Sequence, residues 1–165
     1  MTLKTITEAA AEMLGIEDNN ILFRCANLVV ANIATNYIDC MGRQTFNVTD
    51  GKIEFSQFSR TVLHVKSAEK NGQPVKFDLY VNFITVPNGV ITVDYAFVPK
   101  FASTNDLVTA VAGIANEAIL LYGILTEYAT VSGLADDAKT YGARFEKLIA
   151  GMIRNGHARR LTCNY

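Results

Sequence analysis

Two histidines, His64 and His157, are the side chains best suited to proton transfer near neutral pH. His64 falls in a run of alternating residues and His157 in a basic tail. Neither has a Cys, Asp or Glu at the spacing of a metal site or a catalytic triad. His64 reads as an exposed strand residue. Glu117, Glu127, Asp136 and Asp137 could be imagined as a carboxylate cluster. Glu117 and Glu127 stand ten residues apart, however, which misses the steps of three and four that bring helical side chains together. They read as solvated or interface charge. No Gly-rich phosphate loop ends in Lys-Ser/Thr, and no dinucleotide fingerprint follows a strand. Cys25, Cys40 and Cys163 are an odd, widely spaced set without disulfide or zinc spacing, and they read as reduced thiols in a cytosolic setting. Asn47-Val48-Thr49 matches a glycosylation sequon without secretory context and reads as a turn. The sequence thus predicts no catalytic residue, no metal site and no cofactor.

The chemistry left over is that of binding. From Phe145 onward four cations, Lys147, Arg154, Arg159 and Arg160, face one acid, Glu146, so this end carries +3 and the rest −4. Arg154, His157, Arg159, Arg160 and Tyr165 could form an arm that orders on a partner, with Arg and Tyr as anchors. The same residues could equally be a solvated terminus. A second class of function is a small DNA-binding or regulatory module that uses this basic tail on phosphates. The acidic remainder of the chain argues against it. Gly113 and Gly123 lie inside an apolar helical pattern, where each costs about 1 kcal/mol against Ala. They point to close approach of another helix, from the same bundle or from a neighbouring subunit, with Tyr122 and Tyr128 beside them.

These residues must be positioned by helices and strands. The longest apolar stretch, Asn105 to Gly133, repeats Leu107, Val111, Ile114, Ala118, Leu121, Leu125 and Tyr128 at helical steps. Asn105 or Thr104 can cap its start and Gly133 can end it. It is apolar beyond one stripe, so the sequence predicts one long helix, central to a bundle or buried against another subunit. Asn116, Glu117 and Glu127 exclude a membrane span. The N-terminus shows no signal peptide. Thr5 and Glu8 match a capping box for a first helix ending at Gly15. Asp18 caps a second through about Met41, with Leu22, Ala26, Val29, Ile33, Tyr37 and Met41 inward and Gly42 as its stop. Ala135 opens a last helix with Tyr141, Phe145, Leu148, Ile149 and Met152 on one face, ending at Gly156.

Between the helix pairs the period changes to two. Asp50-Gly51, Asn71-Gly72 and Asn88-Gly89 are turn signals between alternating runs. They predict an antiparallel meander over residues 43 to 98. The expected fold is therefore α+β: a four-helix bundle (1–42 and 100–156) with an antiparallel β-meander subdomain (43–99) inserted between helices 2 and 3, and an extended arm at 157–165. Half the residues are apolar and under a fifth are charged, which mildly favours an oligomer.

The pattern resembles tailed-bacteriophage head–tail adaptor (connector or neck) proteins, of the tail tubular or gatekeeper-like type. The resemblance rests on Tyr95-x-Phe97-x-Pro99 before the long apolar helix, on Tyr122-Gly123 with Glu127-Tyr128 inside it, and on the Gly133 turn. It continues with Tyr141 and Arg144-Phe145 and ends at Arg159-Arg160. It covers nearly the whole chain in order of elements. It implies a non-enzymatic virion protein of the neck, assembled in the host cytoplasm. It further implies a homo-oligomeric ring of twelve copies docked on the portal protein through the C-terminal arm. Such a ring extends the channel for viral DNA without sequence-specific contact and presents a platform to the next neck or tail protein.

Overall fold

A computed structural model describes residues 1–112, 114, 116–154 and 161–162. The fold is α+β. Helix α1 spans Leu3–Leu14 and buries Leu3, Ile6 and Ala10. Its first amides are not served by the Thr5/Glu8 box. Leu3 N–H donates to the Asp106 carbonyl (3.0 Å) and Lys4 N–H to that of Thr104 (2.6 Å), so a distant loop satisfies the helix start. Glu8 instead lies 3.8 Å from Lys4. Gly15 closes α1 in the left-handed conformation, φ 66°. Helix α2, Asn19–Asn36, starts where Asp18 Oδ1 accepts from Asn20 N–H at 2.9 Å.

The second helix stops five residues before Met41 because Cys40–Val48 is strand β1. Gly42 is therefore not a helix stop. It lies mid-strand opposite Tyr95, and a Cβ there would sit 3.0 Å from the Tyr95 ring. Strands β2 (Lys52–Glu54), β3 (Val62–Lys70), β4 (Gln73–Val75), β5 (Asp78–Leu79), β6 (Phe83–Thr85) and β7 (Gly89–Phe97) follow. They do not form the expected meander. One sheet runs in the order β4-β3-β7-β1 and a second in the order β2-β6-β5. The reason is length and pattern. Strand β7 alternates inward at Ile91, Val93 and Tyr95, and only the nine-residue β1 and β3 can line its two edges. Of the three turns, only Asn71-Gly72 makes a hairpin, with both φ positive (52° and 76°) and Lys70 opposite Gln73. Asp50-Gly51 and Asn88-Gly89 are corners that pass the chain between sheets, tied where Val86 N–H donates to the Gly51 carbonyl at 2.9 Å.

The predicted helix 105–133 is likewise divided. Helix α3, Val108–Ala112, is a single turn, and α4 begins afresh at Glu117–Val131. Asn116 caps α4, its Oδ1 accepting from Ala118 N–H at 3.1 Å. A short polar side chain favours this cap over continuing a helix. Asp106 serves its own turn, accepting from Ala102 and Ser103 amides at 2.7 and 2.9 Å. Helix α5, Ala135–Arg154, buries Phe145 and Ile149. After α5, the backbone of Leu161–Thr162 forms β8, parallel to β1 at Cys40 and Met41, so β8 ends the larger sheet.

Buried apolar residues fall into two clusters. One joins α1, α2, α4 and α5 around Leu22, Val29, Ile119, Leu120, Ile124 and Phe145. The other lies between the sheets around Phe58, Ile84, Ile91, Val93, Tyr95 and Phe97. Helix α4 packs against α5, α2 and α1 in turn. Its apolar girth is covered within the chain and does not require a neighbouring subunit.

Candidate functional site

The sequence-selected residues separate. Arg154 is exposed at the last turn of α5, its Nε donating to the Ala150 carbonyl at 3.4 Å. His157, Arg159, Arg160 and Tyr165, with Gly113, lie outside the described residues. Gly123 is buried within the chain. A Cβ there would come 2.5 Å from Val29 Cγ1 and 3.1 Å from the Phe145 ring, so its close approach is to α2 and α5 rather than to another subunit. Tyr122 is half-buried. Its hydroxyl accepts from Arg144 Nη1 at 2.9 Å, and its ring lies 6.5 Å from that of Tyr141. Tyr128 packs at the margin of the helical cluster.

Polar groups that sequence spacing kept apart do meet on the sheet. Asp39 lies 2.7 Å from Lys66 and 3.7 Å from His64. Arg43 pairs with Glu69, and its Nε lies 3.6 Å from Asp94, which also accepts from Ser67 Oγ at 3.0 Å. Each of these pairs has at least one side chain more than a third exposed. Open, charge-neutralised ladders of this kind fix register and add little energy. Among the described residues no group of three or more His, Cys, Asp and Glu could hold a metal ion. Cys25 and Tyr37 are perturbed. Burial pushes the Cys25 thiol up, with help from the Glu127 carboxylate. The Tyr37 phenol is raised by its hydrogen bond to Glu146 Oε1 at 2.7 Å. Both shifts favour the proton-bound, inert form, the opposite of what a nucleophile needs.

One concavity escaped sequence reasoning. It is a cleft of about 920 Å³ where the sheets meet the helices. The segment after β2 supplies Phe55 and Arg60. The end of β7 and the loop beyond it supply Phe97, Lys100 and Leu107, and α3 supplies Val111. Arg60 stacks its guanidinium 4.2 Å over the Phe97 ring. Leu107 is half exposed in the cleft wall. Two cations, Arg60 and Lys100, thus stand beside an apolar wall. No local pattern signals the cleft, because its walls come from segments far apart in the chain.

All nine residues of β1 pair with β7 on one side, and on the other, among the described residues, Cys40 and Met41 pair with Leu161 and Thr162. Among the described residues no helix is long and apolar enough to cross a membrane. No protein-family model and no curated protein sequence matches this chain.

Proposed function

We propose that this chain is a non-enzymatic structural protein of a tailed-phage neck, a head–tail adaptor that assembles as a ring on the portal. In this reading the ring extends the DNA channel and offers its free face to the next tail component. One observation carries the reading most: helices α1 and α2 join α4 and α5 in a single helical cluster, while the stretch between them forms separate β-sheets. That arrangement gives one protein two independent faces, as a platform between two assemblies requires. Helices on either side of a strand-rich middle, with cations after the last helix, are also features of the adaptors the sequence resembles. Arg154, His157, Arg159, Arg160 and Tyr165 are the proposed portal contacts. The rival reading is a regulatory module whose basic tail meets DNA.

The test is a pull-down with size analysis against the portal protein encoded beside this chain, using the full chain and a variant lacking residues 157–165. The adaptor reading expects tail-dependent assembly and an unchanged circular-dichroism spectrum in the truncation. Failure of the full chain to bind the portal, with retention on DNA that falls steeply with salt, transfers the assignment to the regulatory module.

A further inference from the structure

We infer that the turn after β5 is a plug: the Leu79–Val81 tip of one copy seats in the cleft between sheets and helices of a second copy. The tip is apolar and faces outward. Leu79, Tyr80 and Val81 are consecutive and 59%, 50% and 91% exposed. A lone exposed apolar side chain is ordinary, but a contiguous group at the end of a turn marks a contact surface. The tip is also built to hold its shape. Tyr80 N–H donates to the Phe83 carbonyl at 2.9 Å and closes the turn. The Tyr80 and Phe83 rings stack with centroids 4.6 Å apart, and Lys52 Nζ lies 4.2 Å over the Phe83 ring. Order already present before binding lowers the entropy cost of docking.

The cleft supplies the complement. Its walls include Phe55, Phe97 and the half-exposed Leu107, with Arg60 and Lys100 beside them. At about 920 Å³ it has room for several side chains. Asp106, the one acid in its described lining, already accepts from the Ala102 and Ser103 amides, so the charge offered to a visitor is positive. The tip carries the matching acid. Asp78 adjoins Leu79 and is exposed. Among the described residues neither Asp78 nor Lys100 has an ion pair. Lys76 stands two residues farther from the tip. A carboxylate followed at once by three apolar side chains meets two cations beside an apolar wall, so charge and apolar surface match together. The tip does not fill its own cleft. Phe55, at the cleft's rim, donates its N–H to the Asn82 carbonyl at 2.9 Å. That bond fixes the tip beside the cleft with its side chains in solvent. The complement to each cleft is therefore the same tip on another copy. Such a contact supplies the joint between copies that the ring reading needs, yet it forms without the portal.

The experiment is sedimentation velocity on the full chain over a range of concentrations, with no portal present. Asp78→Lys and Lys100→Asp each set like charges across the contact, and circular dichroism establishes that each variant is folded. The parent is expected to self-associate as its concentration rises. Each variant alone is expected to associate about tenfold more weakly. An equimolar mixture of the two is expected to recover association, because each tip then meets a cleft of opposite charge. Val81→Asp, which places a charge at the end of the tip, is expected to abolish association on its own. A parent that stays monomeric up to about 1 mM overturns the inference. So does association that the variants leave unchanged, or weakening in both charge variants without recovery in the mixture. A monomeric parent that still binds the portal sinks this contact and leaves the adaptor reading standing. Recovery in the mixture combined with no portal binding does the reverse.

Discussion

Gly123 has no room for a side chain. A methyl group there would lie 2.5 Å from Val29 Cγ1 and 3.0 Å from Val29 Cγ2, both inside contact distance. Alanine is the better helix former by about 1 kcal/mol, but overpacking a tight core costs about 1–3 kcal/mol, and the clash wins. Gly123→Ala is therefore expected to lower the unfolding free energy measured in urea by a net of about 1 kcal/mol. Adding Val29→Ala should return part of that loss, because it removes the clashing methyls. Additive losses in the double variant would mean the crowding lies elsewhere. Titration is a second effect at this scale. Cys25 and Tyr37 both hold their protons more tightly in the folded chain than in the unfolded one. Such groups add stability that is whole below their ordinary pKa values and drains as the pH rises through the raised ones. Unfolding midpoints should thus fall on moving from neutral to alkaline solution. Glu146→Gln, which removes the charge facing Tyr37, should flatten part of the fall. The hydrogen bond between Tyr37 and Glu146 lies at the surface, so its share is small. An alkaline slope identical in the variant would remove Tyr37 from the account.

Among elements, α4 depends on how it starts. Asn116 supplies the only side-chain cap described for it, and Asn-to-Ala at such a position costs about 1 kcal/mol. Asn116→Ala is expected to lose about that much in thermal or urea unfolding, whereas Asn116→Ser should restore most of it. If both variants match the parent, the packing of α4 on three helices over-determines its start. The same residue shows why sequence periodicity misleads. Apolar steps of three and four run through 105–133 without a break, and a periodicity argument weighs Asn116 as one polar residue rather than as a boundary. Helices α1, α2 and α5 were legible, because Gly15 and Asp18 act locally and Phe145 and Ile149 repeat within one element. The strands were legible one at a time for the same reason. Their partners were not. A Gly-containing turn looks alike whether it closes a hairpin, as Asn71-Gly72 does, or turns a corner between sheets, as Asp50-Gly51 does. What distinguishes them is which long strands match across the sheet. Gly42 was misread for a related reason: its use is set by the Tyr95 ring on a strand far along the chain.

The whole molecule poses the question of whether its two apolar clusters unfold together. The cleft was invisible in the sequence because it is made by segments brought together from across the chain, at the junction of the clusters. Two of the crossings that stitch that junction carry the argument. Ala34 of α2 is buried with the sheets while its neighbour Ile33 is buried with the helices, so one helix serves both. Beyond β7, Phe101 enters the helical cluster, where its N–H donates to Asn27 Oδ1 at 2.8 Å. Short, buried crossings transmit unfolding, because one cluster cannot loosen without exposing the residues that join it to the other. Phe58 is the best probe on the sheet side, since its ring lies 4.7 Å from those of Phe46 and Tyr95. Phe58→Ala should cost about 3–5 kcal/mol. Native-state hydrogen exchange should then show protection falling by the same amount in α4 as in β1 and β7, the mark of one cooperative unit. Loss confined to the strands would show instead two units joined by a passive link. Asn27→Ala cuts one of these stitches, so in that background the same Phe58 substitution should release the strands while the slowest amides of α4 keep more of their protection.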